Sequence, residues 1–121
     1  MEVAADQEQH LIGWLSKRLG GEVRPPALAE LGYELVGGRL LPAASGPAAQ
    51  FMYQDGSGHR LTLYVRTGAS ENRQTAFQFA QEGALRVFYW ADGPFGYALT
   101  GDIEREPLLR VAHKVYTQLN P

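Results

Sequence analysis

The hydrophobic period of the chain changes twice. Over residues 8–19 the apolar positions Leu11, Ile12, Leu15 and Leu19 recur three and four apart, with Trp14 beside the stripe. That spacing predicts an amphipathic helix. Gly20-Gly21 predicts its C-terminal cap, because glycine tolerates the left-handed backbone that closes a helix. Pro25-Pro26 forces an extended connection, and residues 27–31 predict a single helical turn ahead of Gly32.

From Tyr33 the period becomes two. Tyr33, Leu35 and Leu40-Leu41 predict a strand pair or one bent strand, broken at Gly37-Gly38 and ended by Pro42. Phe51 and Tyr53 then face one side and Met52 the other. Leu61, Leu63 and Val65 alternate against Thr62, Tyr64 and Arg66, the mark of a half-buried strand. Residues 76–81 carry Phe77 and Phe79 on one face, and Leu85, Val87 and Tyr89 oppose Arg86, Phe88 and Trp90. Residues 97–100 complete the strands.

The helical period returns at Leu108, Val111, Ala112, Val115 and Leu119. Asp102 is a candidate cap for that helix, Pro107 is tolerable only in its first turn, and Lys114 suits the dipole near its C-terminal end.

The intervening segments are turn-formers. "DGSG" at 55–58 and "ADGPFG" at 91–96 predict hairpins, "PAASGP" at 42–47 a small-residue turn, and "TGASENRQ" at 67–74 an exposed loop. The expected architecture is α+β: an antiparallel meander sheet of about five to seven strands with N-terminal and C-terminal helices packed on it. Residues 1–7 read as a frayed leader and 8–121 as a single domain. Two helices can cover one face of a sheet and leave the other bare. Any aromatics on that bare face would form a cleft or a partner surface.

Composition narrows the chemistry. A formal net charge of -2 with scattered basic residues argues against nucleic acid. The absence of cysteine removes disulfides, thiolate metal sites and cysteine nucleophiles together. No stretch reaches the roughly 18–20 apolar residues of a membrane-spanning helix. The acidic start "MEVAADQEQH" is unlike a signal peptide, so the chain taken alone reads as soluble.

His10, His59 and His113 lack metal-ligand spacing, and His59 reads as solvated beside a turn. Ser45 lies outside any nucleophile elbow, and the carboxylates Asp55, Asp92, Asp102, Glu104 and Glu106 gather at turns and caps. Gly37-Gly38-Arg39 lacks the following helix that a phosphate loop needs. The expectation is a non-catalytic protein without a cofactor or metal. Arg39, Trp90 and Tyr97 are the candidate ligand or partner surface, chosen for polar or aromatic character near turns and strand ends.

Six segments in order carry a resemblance: "HLIGWLSKRLG" at 10–20, "LVGGRLLP" at 35–42, "GPAAQFMY" at 46–53, "GHRLTLYVR" at 58–66, "FYWADGPFGYALTG" at 88–101 and "LLRVAHKVYTQL" at 108–119. The set resembles the C-terminal region of predicted transmembrane anti-sigma factors of proteobacteria. The resemblance implies a sensing domain on the periplasmic side of the inner membrane. An upstream transmembrane helix and a cytoplasmic sigma-binding segment would precede it. The implied partners are an extracytoplasmic-function sigma factor, reached through that upstream segment, and a protease or periplasmic regulator. Membrane contact would come only through the anchor. The alternatives from the residues are a periplasmic small-ligand or lipid-binding module, with a cavity lined by Phe88, Trp90 or Tyr97, and then a small hydrolase.

Overall fold

The computed structural model describes residues 2–4, 8–20, 23–41, 47–67, 77–92 and 95–119. Helix α1 (Glu8–Leu19) buries Leu11, Leu15 and Leu19, three positions four apart on one stripe. Gly20 closes it at φ 76°, its N–H donating to the Ser16 carbonyl at 3.0 Å. The Ser16 hydroxyl accepts from Val23 N–H at 2.9 Å and lies 3.2 Å from the Val23 carbonyl, so the returning chain is held against the helix. The helical turn expected ahead of Gly32 is a 3-10 turn (Ala29–Leu31), closed by Gly32 in the left-handed region at φ 88°.

Among the described residues seven strands follow the order β1-β2-β3-β4-β7-β6-β5, every neighbouring pair antiparallel. They are β1 (Glu2–Ala4), β2 (Tyr33–Leu41), β3 (Ala48–Asp55), β4 (Arg60–Thr67), β5 (Gln78–Glu82), β6 (Leu85–Asp92) and β7 (Phe95–Gly101). The expected α+β sheet is present as two three-stranded meanders, β2-β3-β4 and β5-β6-β7, joined where β4 pairs with β7. Part of the expected leader is structured: residues 2–4 form β1 on the outer edge of β2. Residues 42–46 of the small-residue turn at 42–47, residues 68–74 of the exposed loop and residues 93–94 of the second hairpin turn lie outside the described residues.

Helix α2 (Arg105–Leu119) buries Leu108, Val111, Ala112 and Val115, the stripe read from the sequence. Pro107 is its third residue, where no intrahelical partner for an N–H is required. Asp102 does not cap it. The first helical bond runs from Leu108 N–H to the Glu104 carbonyl, which puts Glu104 at the cap position and Asp102 two residues before it.

Both helices pack on the same face. α1 covers β1, β2 and β3, and α2 covers β6 and β7. Between them lie Phe51, Tyr53, Leu61, Leu63, Phe88 and Leu99, all nearly inaccessible to solvent. The Tyr53 hydroxyl donates to the Pro26 carbonyl at 2.7 Å inside this layer. Outside it, the Gln118 amide brackets Ala27, accepting from its N–H at 2.8 Å and donating to its carbonyl at 2.7 Å. Lys114 reaches Glu30 at 2.9 Å beside that contact. Among the described residues no helix is long and apolar enough to cross a membrane.

Candidate functional site on the uncovered sheet face

Gly37, Gly38 and Arg39 each serve a separate purpose. The register of β2 against β3 shifts between Leu35 and Gly37, so the expected break is a bulge within one strand, with Val36 exposed beside it. Gly38 turns to the helices. A Cβ there would lie 2.9 Å from Leu11 Cδ2 and 3.2 Å from the Gln50 carbonyl oxygen, so glycine lets α1 sit directly on the strand. Arg39 belongs to the opposite face, and no phosphate cradle is formed.

That opposite face carries a continuous cross-strand row. Arg39 pairs with Gln50, Gln50 with Tyr64, Tyr64 with Ala98, Ala98 with Tyr89 and Tyr89 with Gln78. Gln50 is the buried polar residue of the layer, 7% exposed, and its amide is used on both sides. Its Oε1 accepts a short hydrogen bond from Arg39 Nε, and its Nε2 donates to the Tyr64 hydroxyl at 3.2 Å. Burying an amide is costly unless it is paired, and here the pairing fixes the positions of both neighbours.

Beside this row the sheet is hollowed. Ala48, Ala91, Gly96 and Ala98 are too small to fill the space above the strands, while Tyr64, Arg66, Gln78 and Tyr89 rise around it. The groove encloses about 310 Å³. Arg66 lies across Gly96: a Cβ on Gly96 would meet Arg66 Nε at 3.2 Å and its Cγ at 3.5 Å. Among the described residues the lining contains a guanidinium, the phenol side chains of Tyr64 and Tyr89, and an amide, but no carboxylate.

The structure separates the three residues chosen from the sequence. Arg39 is exposed on the bare face and hydrogen-bonded to Gln50. Trp90 and Tyr97 are core residues, 3% and 7% exposed, stacked with ring centres 5.3 Å apart. Phe77 packs edge-on against Trp90 at 4.9 Å and also meets His113 and Tyr116 of α2. Trp90 and Tyr97 border the groove from the strands that floor it, while alternation turns their rings to the helix side. Of the residues expected to line a cavity, Trp90 and Tyr97 border this groove and Phe88 does not.

Gln50, Tyr64, Arg66 and Tyr89 were missed as site residues. Their signal was present in the alternation that set Tyr64 and Arg66 against Leu63 and Val65, and Tyr89 against Trp90.

His59 is exposed as expected, with Nδ1 3.2 Å from Asp55 Oδ2 across the β3-β4 turn. Desolvation pushes the Asp55 pKa up, but hydrogen bonds from His59 and Ser57 outweigh it and hold the carboxyl below its ordinary value. Among the described residues there is no cluster of three or more His, Asp or Glu placed to hold a metal ion. No protein-family model, curated protein or solved structure matches the chain.

Proposed function

We propose that this chain is the extracytoplasmic sensing and interaction domain of a membrane-anchored anti-sigma factor, acting without catalysis. The observation that carries the reading is the one-sided sheet. Both helices cover one face, and the other presents a fixed polar row and a groove. The six segments that carry the resemblance fall on α1, the bulged strand, the two strands of the β3-β4 hairpin, the β6-β7 pair and α2, so the likeness reaches from the first helix to the last. In this reading the domain lies on the periplasmic side of the inner membrane, joined by an upstream helix to a segment that holds the sigma factor. A signal or a regulator engages the bare face. That shifts the balance between states that retain and release the sigma factor, by no more than its differential affinity for the two.

The test is transcription from a promoter of the associated sigma factor in cells whose gene lacks the codons for this domain. The expected result is loss of regulated output, either constitutive or uninducible. Unchanged induction after the deletion would overturn the reading. The small-ligand module is the second reading, favoured by the groove of about 310 Å³, at the lower end of ligand-site volumes.

A further inference from the structure

The groove favours one class of ligand over others. Tyr64, Ala98 and Tyr89 are consecutive across β4, β7 and β6. The two tyrosines therefore stand two strand spacings apart, about 9–10 Å, over an alanine. Aromatic carbon packs at about 3.5–4.0 Å. The gap accordingly has room for one flat ring between the two side chains, and the preference for a ring comes from stacking on the tyrosines, not from width. Ala98, between the two tyrosines, keeps the floor low enough for that ring to enter.

The polar groups at the rim are biased toward donation. Tyr64 oxygen already accepts from Gln50 Nε2, which leaves its own proton to be given away. Arg66 has only donors, and a guanidinium with five N–H groups can keep its existing interactions and still serve another acceptor. Among the described residues that line the groove there is no carboxylate to repel an anion.

The geometry points to a binding site for a small planar anion, an aromatic ring bearing a carboxylate or a similar acid. Its ring lies between Tyr64 and Tyr89, and its acid group meets Arg66 and the Tyr64 hydroxyl. This inference rests on reading the bare face as the sensing face. Binding is nevertheless measured on the isolated chain, so its failure is distinguishable from a failure of regulation in cells.

The experiment is a titration of the purified chain, followed by two-dimensional amide NMR, with three probes: 2-naphthoate, its neutral amide 2-naphthamide, and decanoate. The expected result is saturable shifts at Tyr64, Arg66, Gln78, Tyr89, Gly96 and Ala98 with naphthoate. Naphthamide and decanoate should each bind about tenfold more weakly, since one lacks the charge-assisted bond and the other the ring.

Arg66→Gln should abolish the preference for naphthoate over naphthamide, and Tyr89→Ala should weaken both aromatic probes. Arg66 and Tyr89 are exposed, and an unchanged amide spectrum outside the groove establishes that each variant is folded. Glu30→Gln, at the 3-10 turn, should leave every affinity unchanged. Shifts mapping to the helix side, equal affinity for the three probes, or no saturable shift at millimolar probe would each overturn the site.

Discussion

Replacing Gly38 with alanine tests the packing on which the one-sided sheet depends. The added Cβ would sit 2.9 Å and 3.2 Å from the two terminal carbons of Leu11, and 3.2 Å from the Gln50 carbonyl oxygen. The oxygen belongs to the β3 backbone and cannot swing away, and Leu11 is fully buried. Overpacking of this kind costs about 1–3 kcal/mol, while the Gly-to-Ala change returns about 0.4–1 kcal/mol through the unfolded chain. A net loss of about 1–2 kcal/mol is expected, a sizeable part of the roughly 5–15 kcal/mol that holds a domain together.

Leu11→Ala alone should cost about 2–5 kcal/mol by opening a cavity. In the double variant the new methyl enters that cavity, so the losses should fall short of additive by about 1 kcal/mol or more. Urea unfolding of the four proteins, followed by far-UV circular dichroism, gives the cycle. Additive losses, or a Gly38→Ala protein as stable as its parent, would refute the close approach of α1 to β2.

Removing the Tyr53 hydroxyl with Tyr53→Phe should cost about 1–3 kcal/mol, because the Pro26 carbonyl then loses its buried donor; a midpoint unchanged in urea would contradict this. The depressed Asp55 pKa implies a stability contribution present above the carboxyl's ordinary value and lost as pH falls through its lower folded value. Asp55→Asn should therefore flatten the pH dependence of the melting temperature below about pH 4, and an unaltered acid limb would count against the turn network. The Lys114–Glu30 pair is exposed on the Glu30 side and screened by solvent, so Lys114→Ala should leave the urea midpoint nearly unchanged, and a large drop would contradict this.

Much of the fold is written in local spacing. The four-residue recurrence of Leu11, Leu15 and Leu19 fixes the buried stripe of α1, and Gly20 ends it through a backbone angle that other residues rarely adopt. Alternation likewise sorts Leu61, Leu63 and Val65 from Thr62, Tyr64 and Arg66 without any knowledge of partners. Long-range pairing is different. That β7 lies beside β4, placing Tyr64, Ala98 and Tyr89 in one row, depends on a joint between two meanders that no short window contains.

The choice of Trp90 and Tyr97 shows the same limit. Aromatic character near a turn does not reveal which face the helices cover, and Tyr89 and Trp90, adjacent in sequence, end on opposite sides of the sheet. Arg39 lies on the accessible side, and its partner Gln50 follows only from the register across the bulge. The bend at Gly37-Gly38 was readable from composition; the helix resting on Gly38 was not.

The claim that the bare face receives the signal is tested most directly by comparing its two sides in cells. Sigma-dependent transcription is measured with the gene carrying Tyr89→Ala with Arg66→Gln on the open face, or Lys114→Ala on α2, each protein being checked for equal abundance. The account predicts that the open-face pair alters induced transcription while Lys114→Ala leaves it at the parent level. Normal induction with the open-face pair, alongside a changed response from Lys114→Ala, would contradict it.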